Sequence, residues 1–391
     1  MTKPLSGVRV LDLTRLLPGN YTAWVLASFG ADVVKVEDPG AGDYMRDFGI
    51  QVDGQGALNH LVNRGKRSVV IDLKNEEGRE AFLRLVETAD VVVESFRPGV
   101  MDRLGVGYDV LKERRPSLVY AAMTGFGVRG PLATRAGHDL NFVAFAGLLD
   151  QFGAAGSAPV IPPLAVSDLI GGGLNTSIAV LAMLSQSRTT GVGGRIDTSL
   201  AEGAALLPSN LVADVLAGGP QPERGTAEYA GGSGAYNVYA LADGHISVGA
   251  VEPQFWRRVS ELLEEPELVT RVSDDAFVRE TLTRRFAEMT KAEAQKLFDD
   301  NTCVEVVYTY EETFSSPHAL EMDYLRRIPG LDMPVLAPPY LIDGARLEET
   351  VVAPRQGEHT TEIMTELGYD AAQLEDLQQR AVLAPRAGRP Q

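Results

Sequence analysis

The feature that most limits how this chain can fold is a series of short, strand-like runs rich in Val, Leu and Ile, separated by stretches with helical spacing. Val8 to Leu13 (VRVLDL), Ala31 to Glu37 (ADVVKVE), Ser68 to Leu73 (SVVIDL), Ala89 to Glu94 (ADVVVE) and Leu118 to Met123 (LVYAAM) are the five runs. A Pro18-Gly19 break and a helical stretch from Tyr21 to Phe29 follow the first. Glu76 to Glu87 places Leu83 and Val86 on one helical face between the third and fourth. Strand, helix, strand repeated, with strands this apolar, predicts a parallel sheet covered on both faces, because parallel neighbours need a crossover and the crossover helices hide both sides. Gly30 and Gly65 fall where the chain must turn.

The chain has 391 residues, more than one hydrophobic core usually supports, so two lobes are expected. The alternation stops after Gly191. Residues 1–190 are therefore read as the first part of a large α/β domain and 191–228 as a linker. Residues 229–330 are read as a smaller α/β domain. It opens on the glycine-rich Gly231 to Tyr239, continues in a strand from His245 to Val251, and ends in helices rich in Glu and Arg up to about Phe298. Residues 331–391 are read as a last segment, proline-rich from Pro334, with a last helix, Thr360 to Leu367, and a frayed polar tail, RAGRPQ.

Composition narrows the partners. With 36 Lys and Arg against 53 Asp and Glu, the formal charge is −17, which repels nucleic acid and anionic membrane surfaces. One cysteine, Cys303, excludes an intrachain disulfide and fits a reducing compartment. The start, MTKPLSGVRVLDL, alternates like a strand instead of forming the apolar block of a signal peptide. The longest uncharged stretch, Leu169 to Ser187, carries three glycines and several amides and hydroxyls, which suits a buried helix better than a membrane span. A cytoplasmic protein is expected.

Gly125-Phe-Gly127-Val-Arg-Gly130 matches the letters of the dinucleotide-binding G-x-G-x-x-G, but it follows the fifth strand and runs into Pro131. Turn glycines are the better reading, since the fingerprint must open a helix after the first strand; a nicotinamide dehydrogenase is disfavoured on that ground. The five histidines are far apart in sequence, so no local metal pair exists. Three segments remain. In Ala136-Gly137-His138-Asp139-Leu140-Asn141, Asp139 reads as the N-cap of a helix from Leu140 to Phe152, with His138 beside its first free N–H groups. Asp168 precedes Gly171-Gly172-Gly173, which let another group approach the backbone. Glu252 lies between a strand end and Pro253. Spacing alone leaves open whether these are caps and a turn acid or a site.

AGHDLN around His138, DLIGGG from Asp168 and GAVEPQF around Glu252 resemble signatures of the alpha-methylacyl-CoA racemases, a branch of the family III CoA-transferase superfamily. LSGVRVLDL, NRGKRSVVIDLK, FRPGVMDRLGVGY and GEHTTEI extend the likeness over essentially the whole chain. The resemblance implies a Rossmann-like large domain to which the C-terminal segment, 331–391, returns, a smaller α/β domain, and two subunits interlocked as a homodimer with each active site shared between them. It implies an acyl-CoA thioester as substrate, with coenzyme A entering as part of that substrate and no prosthetic group or metal. His138 and Asp168 would be the acid–base pair, Glu252 would support the histidine, and helix N–H groups at Asp139 would hold the enolate oxygen.

Those residue types suit inversion beside a thioester carbonyl, which needs a proton taken from one face and another delivered to the opposite face. A histidine ordinarily titrates near neutrality; an aspartate must be partly buried to do so. In an acidic chain the anionic nucleotide needs local cations, and Asn63, Arg64, Lys66 and Arg67 with Arg97 and Arg103, beside Gly137, are the candidates. Three departures point toward the transferases. Pro162-Pro163-Leu164-Ala165-Val166-Ser167-Asp168 lacks the asparagine such racemases show before the aspartate. The loop from Gly40 to Asn63 is long, and Asp38 stands where a CoA-binding arginine would be expected. The alternative is a CoA-transferase in which Asp168 is a nucleophile that forms an aspartyl-CoA thioester.

Overall fold

The structure, a computed structural model, describes residues 3–385; the expected frayed tail, 386–391, lies outside them, as do the first two residues of the N-terminal segment. The chain divides into two compact units. One comprises residues up to Ala146, Pro163–Leu207 and Met322 onward; the other comprises Gly147–Pro162 and Pro208–Glu321.

The first unit is built on a six-stranded parallel sheet: β1 (Arg9–Asp12), β2 (Asp32–Glu37), β3 (Lys66–Val70), β4 (Val91–Glu94), β5 (Val119–Thr124) and β6 (Gly194–Ser199). Their spatial order is β3-β2-β1-β4-β5-β6. The chain thus winds outward in one direction to β3, returns past β1 and winds the other way. This is the doubly wound order, in which the crevice at the carboxyl ends of β1 and β4 is the natural ligand site. The inner strands are buried on both faces, as their apolar runs require.

The sixth strand is a correction to the linker expected over 191–228. Gly194–Ser199 alternates exposed and partly buried residues, as an edge strand covered on one face does, so it lacks the continuous apolar signal of its neighbours. Helices Leu200–Leu206 and Ser209–Leu216 occupy more of the same segment.

Helix α1 (Leu16–Ser28) begins ahead of the expected break: Pro18 sits in its first turn, where its missing N–H costs nothing, and Gly19 passes so close to Thr14 that a Cβ would overlap its side chain. Between β2 and β3 the long loop holds α2 (Ala57–Asn63). Helix α3 (Glu76–Glu87) has the expected bounds; Asn75 caps it by accepting from the N–H groups of Glu77 and Gly78, and it buries Phe82, Leu83, Leu85 and Val86. The C-terminal segment returns to this core through Ile363, Met364, Leu374 and Leu377, in helices Thr360–Glu366 and Ala371–Gln379, the second of which the sequence reading did not anticipate.

Ser167–Thr190 forms one continuous helix whose first part, Ser167–Leu174, is a π-helix. By length and composition it could cross a membrane. Its buried residues instead pack within this unit: Gly171 and Gly172 against Leu200 and its neighbours, Gly173 against Tyr21, and Val180 and Leu184 among the residues under the sheet.

The second unit holds an antiparallel sheet of β7 (Tyr236–Leu241), β8 (Gly244–Gly249) and β9 (Val304–Val306), with β8 in the middle. One face carries a core of Trp256, Val259, Leu282 and Phe286 from the helices that follow.

Candidate active site

The candidate residues of the first unit gather at the crevice the strand order points to. A cleft of about 530 Å³ is lined by Arg15, Leu16 and Pro18 after β1, by Ser95 to Pro98 after β4, and by Thr124 and Gly125 at the end of β5. Gly137, His138, Asn141 and Asp168 complete it.

His138 ends the loop that leads from β5 and is the N-cap of α4 (Asp139–Phe145). Its backbone N–H donates to Asn141 Oδ1 at 3.0 Å, which fixes the loop, and its ring is exposed. The helix is shorter than the expected Leu140 to Phe152 because Gly147, at φ +78°, turns the chain away. Asp139 is also not the cap. As first helical residue it turns its carboxylate to the next element, where Oδ1 accepts the Asp168 backbone N–H at 2.9 Å. One hydrogen bond thus ties the start of α4 to the start of the π-helix, and His138 and Asp168 into one cleft.

Asp168 is half-buried on the first turn of the π-helix, a wider coil that recurs at functional sites. Among the described residues no donor reaches its carboxyl. Burial, and then the negative charge of Asp139, push its pKa up to about 7 from the ordinary 3.8. The three glycines that follow serve packing: a Cβ on Gly173 would lie 3.0 Å from Tyr21, and one on Gly203 would meet the Gly171 carbonyl oxygen at 2.0 Å. The helix that carries Asp168 is thereby set close against its neighbours.

Glu252 lies in the second unit, at the N-cap of Pro253–Leu262 after β8, with its side chain exposed and bonded to no N–H of that helix. Cys303, in the same unit, is an exposed free thiol. Gly125 to Gly130 form a loop with φ +89° at Gly127 and +91° at Gly130, and no helix opens before Asp139.

The expected cationic patch is not one. Lys66 and Asn63 have no exposed surface. The Lys66 ammonium donates to Asp12 Oδ2 at 2.9 Å and to Asn63 Oδ1 at 2.7 Å. Lys35 pairs with Asp43 at 2.9 Å beside it. Burial pulls the Lys66 pKa down to about 8 although Asp12 opposes it. Arg64 is buried against Glu349 and lies over the Trp24 ring at 4.4 Å. Arg67 is held by Asp32, Glu362 and Glu366. These side chains are the interior ties of the fold and present no free cation to a phosphate. Arg97 and Arg103 are different: both are exposed and neither has a carboxylate partner among the described residues, and Arg97 lines the cleft.

Three cleft features escaped the sequence reading. Leu16 holds φ +64°, a conformation costly for its side chain, and Asp43 Oδ1 accepts its N–H at 3.2 Å. Arg15 pairs with Asp38, and Arg135 lines the cleft. The signal available was topological, since a doubly wound sheet places the residue after β1 at the crevice. Near the cleft Glu94, the last residue of β4, is buried and accepts from the Phe96 N–H at 2.7 Å and from the Tyr120 hydroxyl at 3.1 Å; burial raises its pKa to about 7. Among the described residues no group of three or more His, Cys, Asp or Glu side chains is placed to hold a metal ion.

The sequence pattern described as CoA-transferase family III matches residues 5–360. The chain belongs to that family. The human alpha-methylacyl-CoA racemase is 35% identical over 379 residues, covering 95% of this chain and 96% of that protein. The human succinyl-CoA:glutarate CoA-transferase is 32% identical over 394 residues, covering 96% and 89%. A CAIB/BAIF family protein from Brucella suis, known from its crystal structure, superimposes with a TM-score of 0.84 at 31% identity over 94% of this chain and all of that one. Members act on CoA thioesters by racemisation or by CoA transfer, and relatives of both kinds match this chain at similar identity.

Proposed function

We propose that this chain inverts the α-carbon of a 2-methylacyl-CoA thioester by proton transfer through an enolate. The observation that carries this is Asp168: a carboxyl whose pKa is raised to about 7, in one cleft with His138. At neutral pH such a group is shared between its two protonation states, as an acid–base catalyst requires. One of the pair takes the α-proton, the negative charge moves to the thioester oxygen, and the other returns a proton to the opposite face. The N–H groups of Asp139 and Leu140 would serve the developing oxyanion, those of Asn141 and Phe142 being taken by the His138 carbonyl. Arg97, with Arg103, holds the CoA phosphates. The protein acts as an interlocked homodimer, with Glu252 of one subunit supporting His138 of the other.

The second reading is a family III CoA-transferase with Asp168 as nucleophile. Ala165 before Asp168, the long loop between β2 and β3 and the Arg15–Asp38 pair favour it. Deuterium uptake at the α-carbon of 2-methylacyl-CoA in heavy water, with no acceptor acid present, is expected of the racemase. No uptake, together with acceptor-dependent movement of CoA and a hydroxylamine-trappable thioester at Asp168, would establish the transferase instead. His138→Ala abolishes exchange in the first case and only slows transfer in the second.

A further inference from the structure

Leu16 holds its left-handed backbone, φ +64°, where α1 begins and where Arg15, Leu16 and Pro18 line the cleft. Leucine is disfavoured in that region by roughly tenfold or more, so the turn must be held by its surroundings. Buried ionised groups hold both of its ends. At the start, Thr14 gives its N–H and hydroxyl to Asp12 Oδ1 at 2.9 and 2.6 Å, and its carbonyl accepts from the Lys35 ammonium at 2.9 Å. In the middle, the Arg15 N–H donates to Ser95 Oγ at 3.3 Å, which links two segments that line the cleft. At the end, Asp43 Oδ1 accepts the Leu16 N–H at 3.2 Å.

Asp43 ties down a second part of the same wall. Its Oδ1 also accepts the Met45 N–H at 3.0 Å, capping the short turn Tyr44–Asp47, and Tyr44 lines the cleft. Its Oδ2 accepts from the Asn20 amide at 2.5 Å and pairs with Lys35 at 2.9 Å. Its own N–H donates to Glu37 Oε2 at 3.0 Å, at the end of β2. Burial opposes the charge of this carboxyl, but Lys35 and the hydrogen bonds prevail and hold its pKa well below the ordinary range. Asp43 is buried and does not line the cleft itself. One carboxylate thus fixes, from beneath, the backbone on which two cleft-lining residues stand.

We infer that Asp43 is a positioning residue for the substrate: it holds the Leu16 and Tyr44 turns in the shape that a CoA thioester meets. The inference rests on the proposed function in one respect, that this cleft receives a CoA thioester, whichever of the two chemistries follows.

The test measures the binding of S-propyl-CoA, a thioether that cannot react, by calorimetry on the full-length protein. Leu16→Ala and Leu16→Gly remove nearly the same side chain and differ in what φ +64° costs them. On top of Leu16→Ala, Asp43→Ala should weaken binding about tenfold, because the turn is no longer held. On top of Leu16→Gly the loss should be at least threefold smaller, because glycine takes the conformation unaided and only the Tyr44 turn is loosened. Asp43→Asn keeps the Oδ1 acceptor and gives up the Lys35 pair, so it should lower the urea midpoint yet leave affinity within threefold of the parent. Equal losses in the two backgrounds, or an affinity in Asp43→Asn that falls with stability, would make Asp43 a tie of the fold alone and overturn the inference. A separate measurement covers the case in which Asp43→Ala does not fold. With Asp43 intact, Leu16→Gly should unfold at higher urea than Leu16→Ala, the reverse of the usual order in a helix; the usual order would overturn the inference as well. Absence of both α-proton exchange and CoA transfer counts against the functional reading alone, since binding of the thioether requires neither.

Discussion

Asp139→Asn separates two things that one carboxylate does at the site. Asparagine keeps the oxygen that accepts the Asp168 N–H at 2.9 Å, so the joint between α4 and the π-helix survives, while the negative charge beside Asp168 is lost. Asp168 stands some three pH units above its ordinary 3.8, with burial the larger cause and Asp139 the smaller. Asp139 therefore accounts for less than half of that rise, and each pH unit it supplies corresponds to ~1.4 kcal/mol between the two protonation states. The sign follows from like-charge repulsion: without Asp139 the ionised form of Asp168 is less disfavoured, so its pKa falls. Both a general base and a nucleophile must be ionised to act, so kcat/KM should rise with pH through a limb near 7 in the parent. In Asp139→Asn that limb should move to lower pH, by less than half of the rise, with the plateau kept within a few-fold. Asp139→Ala, which also removes the acceptor, should lower the plateau as well. The assay is the pH profile of kcat/KM for α-proton exchange, or for CoA transfer. A limb that stays near 7 in an active Asp139→Asn variant would refute the electrostatic argument. So would a plateau lost at every pH, which would make the carboxylate itself a reactant.

Three further outcomes are expected. Lys66→Ala should cost about 1–3 kcal/mol in urea unfolding, because it takes the 2.9 Å partner from buried Asp12 and the donor from Asn63 Oδ1, while Lys35 at 3.7 Å and Thr14 still compensate the Asp12 charge; a raised KM for the CoA thioester with stability intact would restore the phosphate-binding role. Arg97→Ala should raise KM for a CoA thioester more than for the corresponding pantetheine thioester, which lacks the nucleotide phosphates; equal effects on both would show that Arg97 does not hold a phosphate. Glu94, with its pKa raised to about 7 from the ordinary 4.5, is more readily ionised in the unfolded chain. Its contribution to stability is therefore full below pH 4.5, falls as pH rises, and levels off above 7, by up to about 3 kcal/mol. Glu94→Gln should flatten the loss of stability between pH 5 and pH 8, and an unchanged pH dependence would mean that Glu94 is not held neutral.

The sheet was legible where its strands are buried on both faces, because only there does the sequence carry an unbroken apolar run. β2, β4 and β5 show it. The edge strand β6 presents one face and so alternates, with Ile196 between Arg195 and Asp197, a pattern that in sequence is indistinguishable from linker. His138 and Asp168 were legible as a resemblance to a family. Their coupling was not, because Asp139 beside a helix start reads as a cap whether it accepts from its own first turn or, as here, from the next helix.

The cation cluster at Asn63 to Arg67 shows most clearly what a sequence withholds. A run of basic residues in a chain of charge −17 looks like the place for an anion, yet formal charge says nothing of which carboxylate lies opposite in space. Asp12 comes from a segment before the run, and Glu349, Glu362 and Glu366 from the far end of the chain. Each basic side chain of that run meets at least one of these carboxylates or Asp32. The cations available to a phosphate are instead those the fold leaves unpaired: among the described residues around the first unit's cleft, Arg97 and Arg135 on its wall, and the exposed Arg103 a turn beyond Arg97. Thus the acidic balance of the chain, which makes most of its arginines partners of its own carboxylates, is also what makes the unpaired ones informative.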